Sequence, residues 1–252
     1  MGQPVDCSTC PHGAERARLA CELGYSCMQD VYARRIDRFF RRHPDQALQH
    51  LAHPYFEVRA IAARFVDLFH LNALRNDPDE TVRMQVALRL PPSGLLALRD
   101  DPHREVRIRV AQRLDEAQLG PLVHDADYQV RTIVAQRLPL AVLPLMATDA
   151  DEQVRRVVAE RLPMPTLWRL ARDAAPSVRG IVAQRVPLPL LGQLAADAHW
   201  AVRWHVADRA ALHDQAALLH TLSRDADAEV SRRALERLAE NVPPLHEVLR
   251  HG

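Results

Sequence analysis

The chain has 252 residues and a formal net charge of +1, from 33 basic and 32 acidic side chains, and every basic residue other than histidine is arginine. Without lysine there is no phosphate-loop lysine, no Schiff-base lysine and no kinase-type phosphate lysine, so those chemistries are excluded. The opening MGQPVDCSTCPHG is polar and no apolar run approaches the ~20 residues of a membrane span, so the sequence predicts a cytoplasmic protein with no membrane partner.

All four cysteines fall within the first 27 residues, as Cys7-x2-Cys10-x10-Cys21-x5-Cys27. A reducing cytoplasm disfavours disulfides, which leaves tetrahedral zinc or an iron–sulfur cluster. Structural zinc is usually gripped by two close pairs. Here only Cys7 and Cys10 are close, and the irregular second half favours a cluster held by separate segments over zinc. Around the thiols, Ala14–Leu23 reads as a short helix carrying Cys21. Met28–Arg42 reads as a longer helix with Val31, Tyr32, Ile36 and Phe39 or Phe40 inward. Gly13 and Gly24 are positions where backbone can approach metal or sulfide. The arginines at 34, 35, 38, 41 and 42 are either counter-charge to a thiolate-ligated cluster or the solvated face of that helix. Pro44 marks the boundary, giving a cysteine-rich module over residues 1–49 and a repeat array over 50–252.

The array repeats every 24 residues. Val-Arg pairs begin at 58, 82, 106, 130, 154, 178 and 202, with Ala five residues after each Val and Asp five before it, except in the first unit, which has His53. An eighth unit returns at Val230 after a four-residue slip, with Ser231 in place of Arg. Periods of this length indicate a stack of about eight thin layers, each touching only its neighbours. In the unit beginning at Asp125, Asp127 suits an N-cap. Val130, Ile133, Val134 and Leu138 follow at helical spacing until Pro139 stops the helix. Leu140, Leu143 and Met146 are three apart, the spacing of a 3₁₀ turn. The units lack the strand pattern of ordinary leucine-rich repeats and the length of HEAT repeats. The degenerate segment Leu222–Arg250 is placed to cap the far end.

At 100° per residue the Arg after each Val projects from the flank of the packed face, which predicts a partly buried partner for the repeated Asp, within or between units. The second Arg column, at 89, 113, 137, 161, 185, 209 and 237, falls on the opposite edge and is expected to face solvent.

Together, Cys7, Cys10, Cys21 and Cys27 followed by units of the form D-x4-V-R-x3-A-x-R-L-P resemble the leucine-rich repeat variant proteins with an N-terminal iron–sulfur module, over essentially the whole chain. The resemblance implies a [4Fe–4S] cluster on those four cysteines. It also implies an all-α fold, a right-handed superhelical solenoid of alternating α and 3₁₀ helices without β-sheet. Departures at His53, Ser231 and the slip before Val230 concern capping rather than the metal.

No catalytic constellation stands out. The 13 histidines are scattered, and His50 with His53, or His199 with His205, lack an acidic third ligand in register. The expected function is therefore a non-enzymatic scaffold for a protein partner, redox- or oxygen-responsive through its cluster, with no small-molecule substrate. The alternatives are nucleic-acid binding along an Arg-lined face and electron transfer.

Overall fold

The computed structural model describes residues 5–240. Among these residues the only strand-like pairing is a single antiparallel bridge, Glu22 with Ser26. The chain divides into two compact units, Met1–Val134 and Ala135–Gly252, and the boundary falls inside the helix Tyr128–Arg137.

In the first unit, helices Gly13–Ala17 and Ala33–Arg42 and the 3₁₀ segment Pro44–His50 precede the repeats. Repeat helices follow at Phe56–Ala62, Glu80–Arg89 and Arg104–Arg113. Between them run short helical turns: Leu68–Leu71 into Asn72–Leu74, Pro92–Leu95 into Leu96–Leu98, then Glu116–Gln118 and Gly120–His124. The second unit carries repeat helices Glu152–Arg161, Pro176–Arg185, Trp200–Arg209 and Ala228–Ala239, with Leu143–Met146 and Thr166–Arg172 as 3₁₀ segments.

The repeated Val is fully buried at every position from Val58 to Val230, and the Ala five residues on is buried with it from Ala63 to Ala207. A buried Val contributes roughly 1.5–3 kcal/mol, so one such column per layer stabilises a stack that has no bulky centre. The helices start where expected: Asp79, Asp127, Asp151 and Asp227 accept backbone N–H groups of the first turn. They stop before the prolines at 91, 139, 163 and 187 because Pro has no N–H to continue the ladder. Leu143 and Met146 are buried, but Leu140 is exposed, since the chain is still crossing from the α-helix to the 3₁₀ turn there.

The repeated Arg and Asp form rungs between consecutive repeats. In the first unit Arg59, Arg83 and Arg107 fork onto Asp77, Asp101 and Asp125; in the second, Arg155, Arg179 and Arg203 fork onto Asp173, Asp197 and Asp225, with Nε–Oδ2 distances of 2.7–2.8 Å. The same guanidinium turns its Nη1 back to the carbonyl of the Asp that opens its own repeat, as Arg83 does to Asp77 O at 2.7 Å. Each Asp also accepts the N–H two residues on, as Asp101 does from His103. One carboxylate thus fixes two repeats and one turn.

The second Arg column does not face solvent. Arg89 donates to Ala63 O and Val66 O at 2.7 and 2.6 Å, and Arg113 donates to Ala87 O. In the second unit Arg161, Arg185 and Arg209 each donate to two carbonyls of the preceding repeat, and Arg237 donates to Ala210 O. The long stem carries the head group back onto carbonyls that the helix end leaves without partners. The small Ala column leaves room for it.

The four-residue slip is absorbed locally. An 11-residue helix, Leu212–Leu222, stands where other repeats have a 3₁₀ turn, kinked at Gln215, and Arg203 still reaches Asp225, now 22 rather than 18 residues ahead. The expected cap Leu222–Arg250 lies within the described residues only as far as residue 240.

Candidate metal centre

Cys7 and Cys10 sit on a turn held by Asp6, whose Oδ1 accepts both the backbone N–H and the hydroxyl of Ser8 at 2.8 and 2.6 Å. Gly13 N donates to Cys10 O and opens the five-residue helix Gly13–Ala17. That helix ends well before Cys21. Leu19 takes φ +58°, and the N–H groups of Ala20 and Cys21 both turn back to Glu15 O. The expected helix Ala14–Leu23 is therefore a short helix followed by a reversal.

The reversal leads into a tight hairpin. Glu22 and Ser26 exchange both backbone hydrogen bonds, at 2.8 and 2.9 Å, and Gly24 at the tip takes φ +79°, a conformation glycine adopts without strain. Flanking residues of such a pair lie opposite one another on one face, and these are Cys21 and Cys27. Cys27 N then donates to Arg35 O, tying the hairpin to the helix Ala33–Arg42. That helix starts later than the expected Met28, because Asp30 Oδ1 takes the Tyr32 N–H at 2.9 Å and holds the segment extended. Ile36, Phe39 and Phe40 point inward as expected, whereas Val31 and Tyr32 are exposed.

The four thiols are free; Cys27 is buried and the other three are half-buried. Burial, with nearby Cys27, Cys10 and Cys7 acting in the same direction, pushes the Cys21 thiol up to about 11. Burial raises Cys27 as well, against the Gln29 backbone N–H, which favours its thiolate. Cys21 therefore feels the other three sulfurs. Among the described residues no three His, Cys, Asp or Glu side chains converge tightly enough to hold a single ion. A cleft of about 310 Å³ lies beside Cys10, lined by Val5, Asp6, Thr9, Pro11 and Gln29.

This donor set fits an iron–sulfur group chemically. Four soft donors come from separate segments, and their mutual repulsion as thiolates calls for a polycationic core between them. The arginines nearby divide into two kinds. Arg35 pairs with Asp30 at 3.0 Å and Arg41 with Asp37 at 2.6 Å, while Arg38 and Arg42 lie over the Tyr25 ring with 4.3 and 5.4 Å to its centroid.

The module also holds a packed group that the sequence did not announce. The buried His12 ring meets Phe39 at 4.9 Å and His50 at 5.4 Å, and Phe40 meets His50 at 5.5 Å and Phe65 at 6.1 Å. His12 follows Cys10 by two residues, which was the only signal available for it. His43 Nε2 lies 3.3 Å from Ala20 O, Gln46 donates to Glu15, and Tyr55 OH donates to Val31 O. The module and the first repeat share one core. His53, standing where later repeats carry Asp, accepts the Tyr55 N–H through Nδ1 at 3.1 Å. It performs the turn function of the Asp and accepts no guanidinium, consistent with its place before the first rung.

Comparison with known proteins places these observations. Residues 1–49 match a family model described as LRV protein FeS4 cluster, and residues 128–151 match one described as leucine rich repeat variant. A solved structure described as a leucine-rich repeat variant with a novel repetitive protein structural motif aligns with 93% of this chain and 100% of its own, at 40% identity and a TM-score of 0.87. A Rhodobacter capsulatus protein described as an uncharacterized 27.7 kDa protein in the nifB 3' region is 44% identical over 90 residues, which span 36% of this chain and 37% of that relative.

Proposed function

Because the chain belongs to the leucine-rich repeat variant family, whose repeats accompany an FeS4 cluster segment, we propose that it is a non-enzymatic scaffold for a protein partner, with a [4Fe–4S] cluster that governs its first repeats. Cys7, Cys10, Cys21 and Cys27 hold the cluster. When bound, it supplies a one-electron couple and ties three chain segments at one point. The Glu22–Ser26 hairpin aligns Cys21 with Cys27, the Gln29 N–H supports the Cys27 thiolate, and Phe39, Phe40 and His12 carry the module's position into Phe65 and His50.

The observation that carries this reading is the shared core: a module packed into the first repeat cannot change its fold without disturbing that repeat. Metal binding and any partner binding nearby are then linked through one folded state. The repeat arginines donate to carboxylates or carbonyls, which favours a protein partner over nucleic acid along those columns. Histidines serve locally, His199 as an N-cap and His53 in a turn, which favours a scaffold over an enzyme. Four free thiols suit a reducing cytoplasm. No helix among the described residues is long and apolar enough to cross a membrane.

Anaerobic purification tests the metal. The expected product is brown, with about four iron and four sulfide per chain. Stoichiometric zinc without sulfide refutes the cluster. A pull-down comparing reduced with oxidised protein tests the scaffold, and partner recovery independent of redox state refutes the linkage.

A further inference from the structure

The cysteine hairpin presents an outer face that the core does not use. Leu19 is 84% exposed, Leu23 54% and Tyr25 44%, all within six residues of Cys21 or Cys27. Leu19 is also the one non-glycine residue at positive φ among the described residues, a conformation that costs a leucine energy and gains it no burial. The reversal that brings Cys21 toward Cys27 thus leaves a large apolar side chain in water, and with Leu23 and Tyr25 it marks a contact surface.

Charge says what the surface contacts. Of the seven arginines between residues 16 and 42, Arg35 and Arg41 are paired with Asp30 and Asp37. Arg16, Arg18, Arg34, Arg38 and Arg42 have no carboxylate partner among the described residues. Arg34, Arg38 and Arg42 recur four apart on one side of their helix, and the last two lie over the Tyr25 ring. Tyr25 thus lies under two unpaired arginines and Leu19 follows Arg18 in sequence, exposed apolar side chains beside basic ones as in a protein docking patch.

We propose that this face, Leu19, Leu23 and Tyr25 with Arg16, Arg18, Arg38 and Arg42, docks a small acidic electron-carrier protein. The proposal rests on the reading that the four cysteines hold an iron–sulfur cluster. Two of them flank the hairpin, so a carrier seated on its outer face lies against the ligand segment. One electron passes, the carrier being oxidised as the module is reduced or the reverse, and no bond to the hairpin forms or breaks. An acidic carrier complements the unpaired arginines and is steered to them at low salt.

The test titrates the iron-loaded full chain with a small acidic ferredoxin, with basic cytochrome c of similar size, and with anionic phosphatidylserine vesicles. The expected result is saturable ferredoxin binding that weakens at least about tenfold between 50 and 300 mM salt, with none to cytochrome c or vesicles. Arg16→Glu with Arg18→Glu, and separately Leu23→Ser, should weaken it about tenfold while iron content stays at the wild-type value. Leu19→Gly is the sharper variant: it should weaken docking and leave thermal stability equal or higher, because glycine relieves the positive φ. Ferredoxin affinity unchanged in all three variants, or binding to vesicles instead of ferredoxin, overturns the docking face. A chain that purifies with zinc overturns the underlying reading, and does so before any carrier is added.

Discussion

At the scale of single residues, the two arginine columns make different bonds and should fail differently. Arg83→Ala leaves Asp101, whose side chain is 2% exposed, as a buried carboxylate without its fork, at an expected cost of about 3–5 kcal/mol. Arg89→Ala removes one donor from two carbonyls and should cost about 1–2 kcal/mol. Urea unfolding of both variants checks the order, and a loss at Arg83 no greater than at Arg89 would contradict the ladder. The inner column was legible because Arg and Asp recur at a fixed offset. The outer column was misread because helical geometry places the Cα, whereas an arginine head group reaches far from it, onto the repeat before. The rungs also set a pH dependence. Burial alone would raise Asp77, Asp173 and Asp197, but Arg59, Arg155 and Arg179 and the turn N–H groups outweigh it and hold all three below the ordinary carboxylate value. A depressed folded pKa means stability fully present above the unfolded value and lost as pH falls through the folded one. His53 and His205 are depressed by burial, so the unfolded chain takes up their protons first, from about pH 6.5 downward. Thermal melts should therefore show a shallow decline below about pH 6.5 and a steep one below about pH 4. A melting temperature that rises on acidification would contradict both assignments.

At the scale of elements, the four-residue slip behaves as an added turn. Deleting residues 213–216 should return the unit to 24 residues, let Arg203 meet Asp225 at the spacing of the other rungs, and leave a folded protein. Deleting only two of the four shifts the carboxylate by about half a turn and should cost about 3–5 kcal/mol, the penalty of an unpaired rung. Guanidinium denaturation of the two deletions compares them directly, and equal stability would show that the rung is incidental. The α and 3₁₀ alternation was readable because Asp caps, valine spacing and proline stops agree with one another. Ala14–Leu23 was not, because its apolar spacing is helical while the closure of Cys21 onto Cys27 requires the chain to reverse at Leu19. Local pattern lost there to a long-range requirement. Met28–Arg42 was read five residues too long for a related reason: the carboxylate of Asp30 competes for the backbone N–H that would have begun the helix.

At the scale of the whole molecule, the family segment ends at residue 49 while the compact unit that contains it runs on to Val134. The thiol spacing marked a candidate site, but not the aromatic and histidine core that joins the module to the repeats, because that contact is built by residues with no repeat register. If the core transmits the state of the site, removing iron by chelation should reduce amide hydrogen-exchange protection from Leu51 to Leu74 as well as in the first ~45 residues. Holo and apo protein compared by mass spectrometry test this. Protection lost only before Leu51 would make the module an independent appendage and end the case for sensing.

The Asp that joins two arginines has a mechanical consequence. Within the first unit, Asp101 receives Arg83 on its carboxylate and Arg107 on its carbonyl, and Asp77 and Asp125 are bonded alike, so the rungs run as an unbroken cable beside the peptide chain. Tension applied to the chain ends would load those links in series, and the weakest would part first. In an optical trap, extension should then rise in steps, each releasing one repeat and at most about 86 Å of contour. Arg83→Ala should place the first rupture in the first unit and lower its force, a readout that reports the cable without reference to metal, partner or solvent.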